Sequence, residues 1–234
     1  MKVLVFDTET TGLPTERNAS IMDVAKWPHI VQLSYILYES ETMKIIESCD
    51  TLIKVPPEIE ITPGSVAIHH ITREMCDKDG ISIASAITTF NNSLDQADVI
   101  VGHNISFDKR LVMVECIRLN KYQRFTVKGN RKIEYCTMKK GTDICGIEKI
   151  SANGEKYNKF PTLSELHFKL FGTLPEGVHN ALVDILICLR CYIKMTDDVD
   201  FVEDDDKKYN ELSNALFRKA LLPKALLPKV PQNE

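Results

Sequence analysis

Asp7 and Glu9 stand two residues apart in Phe6-Asp7-Thr8-Glu9-Thr10-Thr11-Gly12-Leu13, directly after the apolar run Val3-Leu4-Val5-Phe6. On a strand, such a pair projects from one face with backbones roughly 7 Å apart, so its oxygens can converge on one hard cation. The D-x-E pair alone is a weak signal. The Thr-Thr-Gly-Leu that follows strengthens it, because Gly12 permits close backbone approach and the threonine hydroxyls can meet a sugar or a phosphate. Asp108 closes Val101-Gly102-His103-Asn104-Ile105-Ser106-Phe107-Asp108 and falls in the first turn of a helix. Alone, that position reads as a complement to the helix dipole. Asp184 ends His179-Asn180-Ala181-Leu182-Val183-Asp184 and interrupts an otherwise apolar helix. An unpaired carboxylate is costly to bury there, so it should meet a cation or hydrogen-bond donors. His179 lies just before that helix, and histidine is the side chain ordinarily suited to proton transfer near neutral pH. Four carboxylates gathered in one cleft repel one another unless cations neutralise them, and an all-oxygen set suits Mg²⁺ or Mn²⁺.

The elements that must position these groups are legible from periodicity. Residues 2–6 read as a buried strand, Ile30 to Tyr38 as a second, and Met43 to Val55 as a third after the polar turn Glu39-Ser40-Glu41. Pro56, Pro57 and Pro63 mark a loop. A helix is expected over 82–97, from Ile83, Ile87, Phe90 and Leu94 at helical spacing. A short strand follows over Ala97 to Gly102, then a helix from about Ser106, whose hydroxyl can cap it, to Leu119. The stretch from there to Pro161 reads as loop, with Gly129, Gly141, Gly146 and Gly154. Helices over Thr162 to Phe171 and Asn180 to about Met195 close the domain. Strands first, then strands alternating with helices, make an α/β layered fold.

The chain of 234 residues and 26.5 kDa suits one domain with an appendage. Its net charge of −4 argues against gripping long duplexes by many phosphate contacts, so nucleic-acid contact should be local, at a strand end. The strongly basic stretch lies within 118–140, where Arg118, Lys121, Arg124, Lys128, Arg131, Lys132, Lys139 and Lys140 face Glu134. It reads as a solvated loop or as a nucleic-acid flank. Seven irregularly spaced cysteines without an export signal read as reduced thiols, including Cys188 and Cys191 on an apolar helix. No apolar run is long enough to span a bilayer, so an intracellular protein of cytoplasm or nucleus is expected, with no membrane contact. From Asp197 the composition turns acidic through Asp206, which favours a solvated linker. Two Ala-Leu-Leu-Pro-Lys repeats follow at 220–229, and their prolines prevent a continuous helix. We therefore expect a domain over 1–196 and a tail over 197–234 that is disordered or docks a protein partner.

Taken together, these motifs resemble those of the DnaQ-like DEDDh exonuclease superfamily, which includes polymerase proofreading subunits, RNase T and oligoribonuclease. The matches are D-x-E at Asp7 and Glu9, G-H-N-x-x-F-D ending at Asp108, and H-x-x-x-x-D from His179 to Asp184. Weaker echoes are Ile68-His69-His70-Ile71-Thr72 and Thr162-Leu163-Ser164-Glu165-Leu166. The resemblance covers roughly residues 1–196, and three motifs in family order make it specific. It implies an RNase H-like fold, a mixed five-stranded sheet flanked by helices. It also implies a 3′→5′ exonuclease that releases nucleoside 5′-monophosphates from single-stranded or frayed 3′ ends. Asp7, Glu9 and Asp184 would bind one divalent ion, and Asp7, with Asp108 through water, a second, the pair clamping the scissile phosphate. His179 would be the general base that takes a proton from the attacking water. Thr8, Thr10 and Leu13 would meet the terminal nucleotide, with Leu13 as an apolar wedge, and Asn104 and Phe107 would shape the same pocket. His103, His69 and His70 read as structural.

Phe-Asp-Thr-Glu-Thr-Thr-Gly-Leu is closer to the DNA-proofreading branch than to the RNA-trimming branches, which favours a single-stranded DNA 3′ end. Trimming of RNA is the alternative within the class. A non-catalytic module that holds a partner or a nucleic-acid end is the alternative of another class, and the full set of four carboxylates and His179 weighs against it.

Overall fold

Alternation along one strand sets the architecture. In the computed structural model, which describes residues 1–127, 129–175 and 178–202, strand β1 (Lys2–Thr10) runs through the middle of the sheet. Downstream come β2 (Ile30–Glu39), β3 (Lys44–Lys54), helices α1 (Pro63–His69) and α2 (Arg73–Asp79), and β4 (Ile81–Ser82). Next are α3 (Ile83–Gln96), β5 (Val99–Gly102), α4 (Ile105–Arg118), β6 (Thr126–Val127), β7 (Asn130–Arg131) and β8 (Ile133–Cys136). The chain continues as α5 (Thr137–Cys145), β9 (Glu148–Ile150), β10 (Lys156–Asn158), α6 (Leu163–Phe171) and α7 (Ala181–Asp197). The sheet order is β4-β3-β2-β1-β5-β8. β1 pairs antiparallel with β2 and parallel with β5, so the sheet is mixed as expected, but it has six strands rather than five. Its extra strand is the two-residue β4 beside β3, too short to carry any periodic signal.

Leu4 and Phe6 point to one face and pack with Ile87, Phe90 and Leu94 of α3 and with Leu111 and Val112 of α4. Phe6 meets Phe90 edge-on at 5.2 Å between ring centroids. Val3 and Val5 point to the other face and pack with Ile185, Leu189 and Tyr192 of α7. Each such buried side chain stabilises the fold by about 1.5–3 kcal/mol, which locks the register of β1 between two helical layers. That register also decides where its polar residues go. Asp7 and Glu9 continue the Val3 and Val5 face toward α7, and Thr8 continues the Leu4 and Phe6 face toward α4.

Several local expectations need correction. Helix α4 starts at Ile105, after Asn104 in a left-handed conformation that makes no side-chain cap bond, so Ser106 sits inside its first turn instead of capping it. Pro63 is not loop: it opens α1 behind the Thr62 cap, where a missing N–H costs nothing. The expected loop between 120 and 161 contains β8, α5 and the β9–β10 hairpin. Gly141, which reads as a breaker, lies within α5, where a Cβ would come 2.8 Å from Cδ1 of Leu166. It allows α5 and α6 to pack closely.

Three residues of the basic stretch make structural bonds. Arg118 donates to the carbonyls of Val24, Trp27 and Pro28 and pairs with Glu115 at 2.6 Å. Lys132 donates to the carbonyls of Asp95 and Ala97, and Lys121 to that of Ala84. Lys128 lies outside the described residues. Residues just beyond 196 pack on α7. Phe201 is buried in the α7 core, and Asp200 pairs with Arg190 at 2.6 Å. Residues 203–234, which carry most of the acidic run and both repeats, lie outside the described residues. All seven cysteines are free thiols, with Cys188 and Cys191 buried in α7. No helix among the described residues is long and apolar enough to cross a membrane.

Candidate functional site

The C-terminal half of β1 and the first turn of α7 meet over one edge of the sheet. Asn180 caps α7, its Oδ1 accepting from the N–H groups of Leu182 and Val183, so Asp184 is presented one turn into the helix. Carboxylate oxygens of Asp7, Glu9 and Asp184 there lie within 4.8 Å of one another. The two β1 residues reach Asp184 because strand alternation aims them at α7. The spacing and the all-oxygen chemistry of the three side chains fit one hard divalent cation.

Electrostatics point the same way. Burial, then the charges of Asp108, Asp184 and Glu9, pushes the Asp7 carboxyl well above the usual carboxylate range. Burial followed by Asp184 and Asp108 raises Glu9 to about 8. Burial raises Asp184 to about 7, against the pull of the His179 N–H. Without a cation, these groups resist becoming anions together at neutral pH, so a divalent ion would relieve a strain the fold imposes.

Asp108 occupies a different position from its three partners. It is 3% exposed, and its Oδ1 accepts from the Thr8 hydroxyl at 2.7 Å and the Thr8 N–H at 3.2 Å. Burial raises it to about 7, while the Thr8 bonds pull it down. It is therefore close enough for its charge to act on Asp7 and Glu9, but it stands outside the three-carboxylate cluster. Thr8, expected at the substrate, is buried and bonded to Asp108 on the α4 face of β1. The physical reason is again the two-residue period: a residue between Asp7 and Glu9 must face the opposite layer.

His179 is exposed and takes a left-handed backbone, φ 69°, which turns the chain into α7. Its N–H donates to Oδ2 of Asp184 at 3.1 Å. With Asp7 and Asp184 it lines a cleft of 420 Å³ whose other walls include His103, Met138, Phe160, Pro161 and Val178. Thr10, Leu13, Asn104 and Phe107 do not line that cleft. The Thr10 hydroxyl donates to Gly12 O at 2.7 Å, Leu13 is 80% exposed, and Phe107 packs partly against the α3–α4 core.

Supporting residues complete the site. Nδ1 of His69 accepts from the Ile71 N–H at 3.0 Å, so its Nε2–H donates to Thr10 O at 3.1 Å and holds the end of β1. Burial keeps that imidazole pKa low, as this tautomer requires. Backbone bonds link Thr11 to His29 and Thr62, so the chain after Glu9 is stitched on both sides. Partly buried His103 reaches Thr137 through Nδ1 and the Pro161 carbonyl through Nε2, each at 3.0 Å, tying the end of β5 to the cleft wall. Burial lowers its pKa to about 4. Phe160 and Met138 carry no signal in the sequence, because the short elements around them have no periodic pattern.

A family model described as exonuclease, RNase_T, matches residues 4–192. Among solved structures, E. coli exonuclease I in complex with a dT13 oligonucleotide aligns at TM-score 0.60 and 18% identity, over 82% of this chain and 41% of that one. The zinc-bound form of an E. coli exonuclease I–ssDNA complex gives 0.62 and 19%, over 84% and 41%. Exonuclease I from Methylocaldum szegediense gives 0.58 and 18%, over 89% and 42%. These likenesses show a shared fold, and the chain spans 41–42% of the length of these relatives. Comparison with curated protein sequences gives no match.

Proposed function

The chain belongs to the RNase_T exonuclease family, whose model covers residues 4–192, and from that premise we propose that it removes nucleoside 5′-monophosphates from the 3′ end of single-stranded or frayed DNA. One observation carries the reading: Asp7, Glu9 and Asp184 converge within 4.8 Å, and Asp7 and Asp184 line a cleft together with His179. Asp7, Glu9 and Asp184 would hold one Mg²⁺ or Mn²⁺, and Asp7 with Asp108 a second. Bound there, such ions would neutralise the scissile phosphate and stabilise the charge that builds on the leaving 3′ oxygen.

The chain's own groups do the rest. His179, on an exposed turn held to Asp184 through its backbone, accepts the proton of the attacking water and passes it to solvent. Thr8 keeps Asp108 oriented, and His69 keeps the end of β1 in place. Leu13, Thr10, Asn104 and Phe107 would bound the pocket for the terminal nucleotide. DNA is favoured over RNA because Phe-Asp-Thr-Glu-Thr-Thr-Gly-Leu resembles the proofreading branch, and because structural relatives hold dT13 and dA16 oligonucleotides.

The test is digestion of matched 5′-labelled DNA and RNA oligomers with Mg²⁺ or Mn²⁺. A ladder of products shortened from the 3′ end, faster on DNA, is expected. Intact oligomers of both kinds would overturn the enzymatic reading, and faster loss of RNA would overturn the substrate.

A further inference from the structure

One wall of the cleft carries an aromatic ring that hydrolysis does not use. Phe160 is 57% exposed, yet it lines the cleft with Asp7, His179 and Asp184. Leaving a phenylalanine in water forgoes about 2 kcal/mol of burial. Tyr122 and Phe168 are also exposed aromatics, but neither lines this cleft.

The segment that bears Phe160 is held on both sides. Before it, the Lys159 N–H donates to Ile147 O at 2.9 Å, and Lys159 Nζ meets both Glu165 oxygens at 2.5 and 2.7 Å. After it, Nε2 of His103 donates to the Pro161 carbonyl, and Thr162 starts α6 with a capping box shared with Glu165. Pro161 has a fixed φ and also restricts the residue before it, which is Phe160 itself. The ring is thus offered to the cleft from a rigid backbone, so little conformational freedom is lost when a ligand covers it. Met138, Pro161, Leu163 and Val178 add further apolar lining.

A flat, apolar face beside a phosphate-cleaving centre matches the π-face of an unpaired base, whose stacking on an aromatic side chain is sequence-tolerant. Leu13, Asn104 and Phe107, assigned above to the terminal nucleotide, lie outside this cleft. With its last nucleotide held by Asn104 and Phe107 at the start of α4, a strand crossing Asp7 would bring its next nucleotide toward the cleft that Phe160 lines. We propose that Phe160 forms a base-stacking subsite for the nucleotide on the 5′ side of the scissile phosphate. The inference rests on the exonuclease reading. It makes the site demand at least two unpaired nucleotides at the 3′ end, because a paired base cannot offer its face to Phe160.

The test uses the full chain with Mg²⁺ and two 5′-labelled DNA oligomers, identical except that one has an abasic residue at the penultimate position. Wild-type protein is expected to cleave the base-bearing oligomer with a kcat/KM about tenfold to a hundredfold higher. Phe160→Ala should lose that factor on the base-bearing oligomer and nothing further on the abasic one. Phe160→Trp should restore it, and Phe168→Ala should match wild type on both. Equal kcat/KM for Phe160→Ala and wild type on the base-bearing oligomer would overturn the subsite. So would equal losses on the two oligomers, which would mark a merely structural role. Wild-type protein that shortens neither oligomer overturns the exonuclease reading and the subsite with it. Normal cleavage with no dependence on Phe160 overturns the subsite alone.

Discussion

Replacing Asp184 by Asn should make the cation-free protein more stable while it abolishes hydrolysis. Burial raises the Asp184 carboxyl from its ordinary 3.8 to about 7. A carboxylate whose folded-state pKa is raised favours folding fully below its unfolded value and loses that contribution as pH rises through the folded value. At pH 8 in a chelator, the wild-type fold therefore bears the whole cost of charging this group. About three pKa units at roughly 1.36 kcal/mol each set a ceiling of about 4 kcal/mol. The charge of Asp184 also raises Asp7 and Glu9, and the site can relax around a charged group, so about 1–3 kcal/mol is the expected gain. The amide introduced by Asp184→Asn retains an oxygen for the His179 N–H, so the hydrogen bond now made to Oδ2 survives. For a chain of this length the gain corresponds to a rise in Tm of about 2–12 °C. Differential scanning calorimetry in EDTA should show it at pH 8, and the difference should vanish near pH 4. Adding millimolar Mg²⁺ should raise the Tm of the wild type and leave the variant nearly unmoved. A variant no more stable than wild type at pH 8 in EDTA would refute the view that this carboxylate is held against its electrostatic preference.

Other perturbations probe separate parts of the site. His179→Ala should slow turnover at pH 7 by about a hundredfold or more while Mn²⁺ affinity, read by titration calorimetry, stays within a few-fold of wild type. Unchanged turnover removes His179 from proton transfer. Thr8→Val deletes the hydroxyl that donates to buried Asp108 at 2.7 Å. It should lower unfolding free energy by about 1–3 kcal/mol in urea melts; no loss of stability would mean that the bond is not needed to hold Asp108. Gly141→Ala places a methyl 2.8 Å from Leu166 Cδ1 and should cost about 1–3 kcal/mol through overpacking. A neutral result there means that α5 and α6 can separate without penalty.

The three carboxylates of the cluster are legible in the sequence because each sits at the edge of a strongly patterned element. Asp7 and Glu9 end the apolar run of β1, and Asp184 breaks the apolar stripe of α7. Thr8 is readable in principle, since the period that pairs Asp7 with Glu9 sends Thr8 to the other face. Its hydroxyl chemistry, weighed without that geometry, points wrongly to the substrate. Asp108 can be placed on α4, but its bonding to Thr8 depends on how α4 crosses the sheet. Between 120 and 161 local signals fail. β8 is a four-residue strand defined by pairing with β5, and α5 carries a glycine whose purpose is contact with Leu166. The wall that presents Phe160 is built from these elements, so tertiary structure alone reveals it.

Diffraction data collected at the manganese absorption edge, from crystals grown with Mn²⁺ and a nucleoside 5′-monophosphate, would locate a bound ion by its anomalous signal. A peak is expected among the oxygens of Asp7, Glu9 and Asp184, and its loss in Asp184→Ala. Well-ordered carboxylates with no anomalous density between them would contradict the metal assignment.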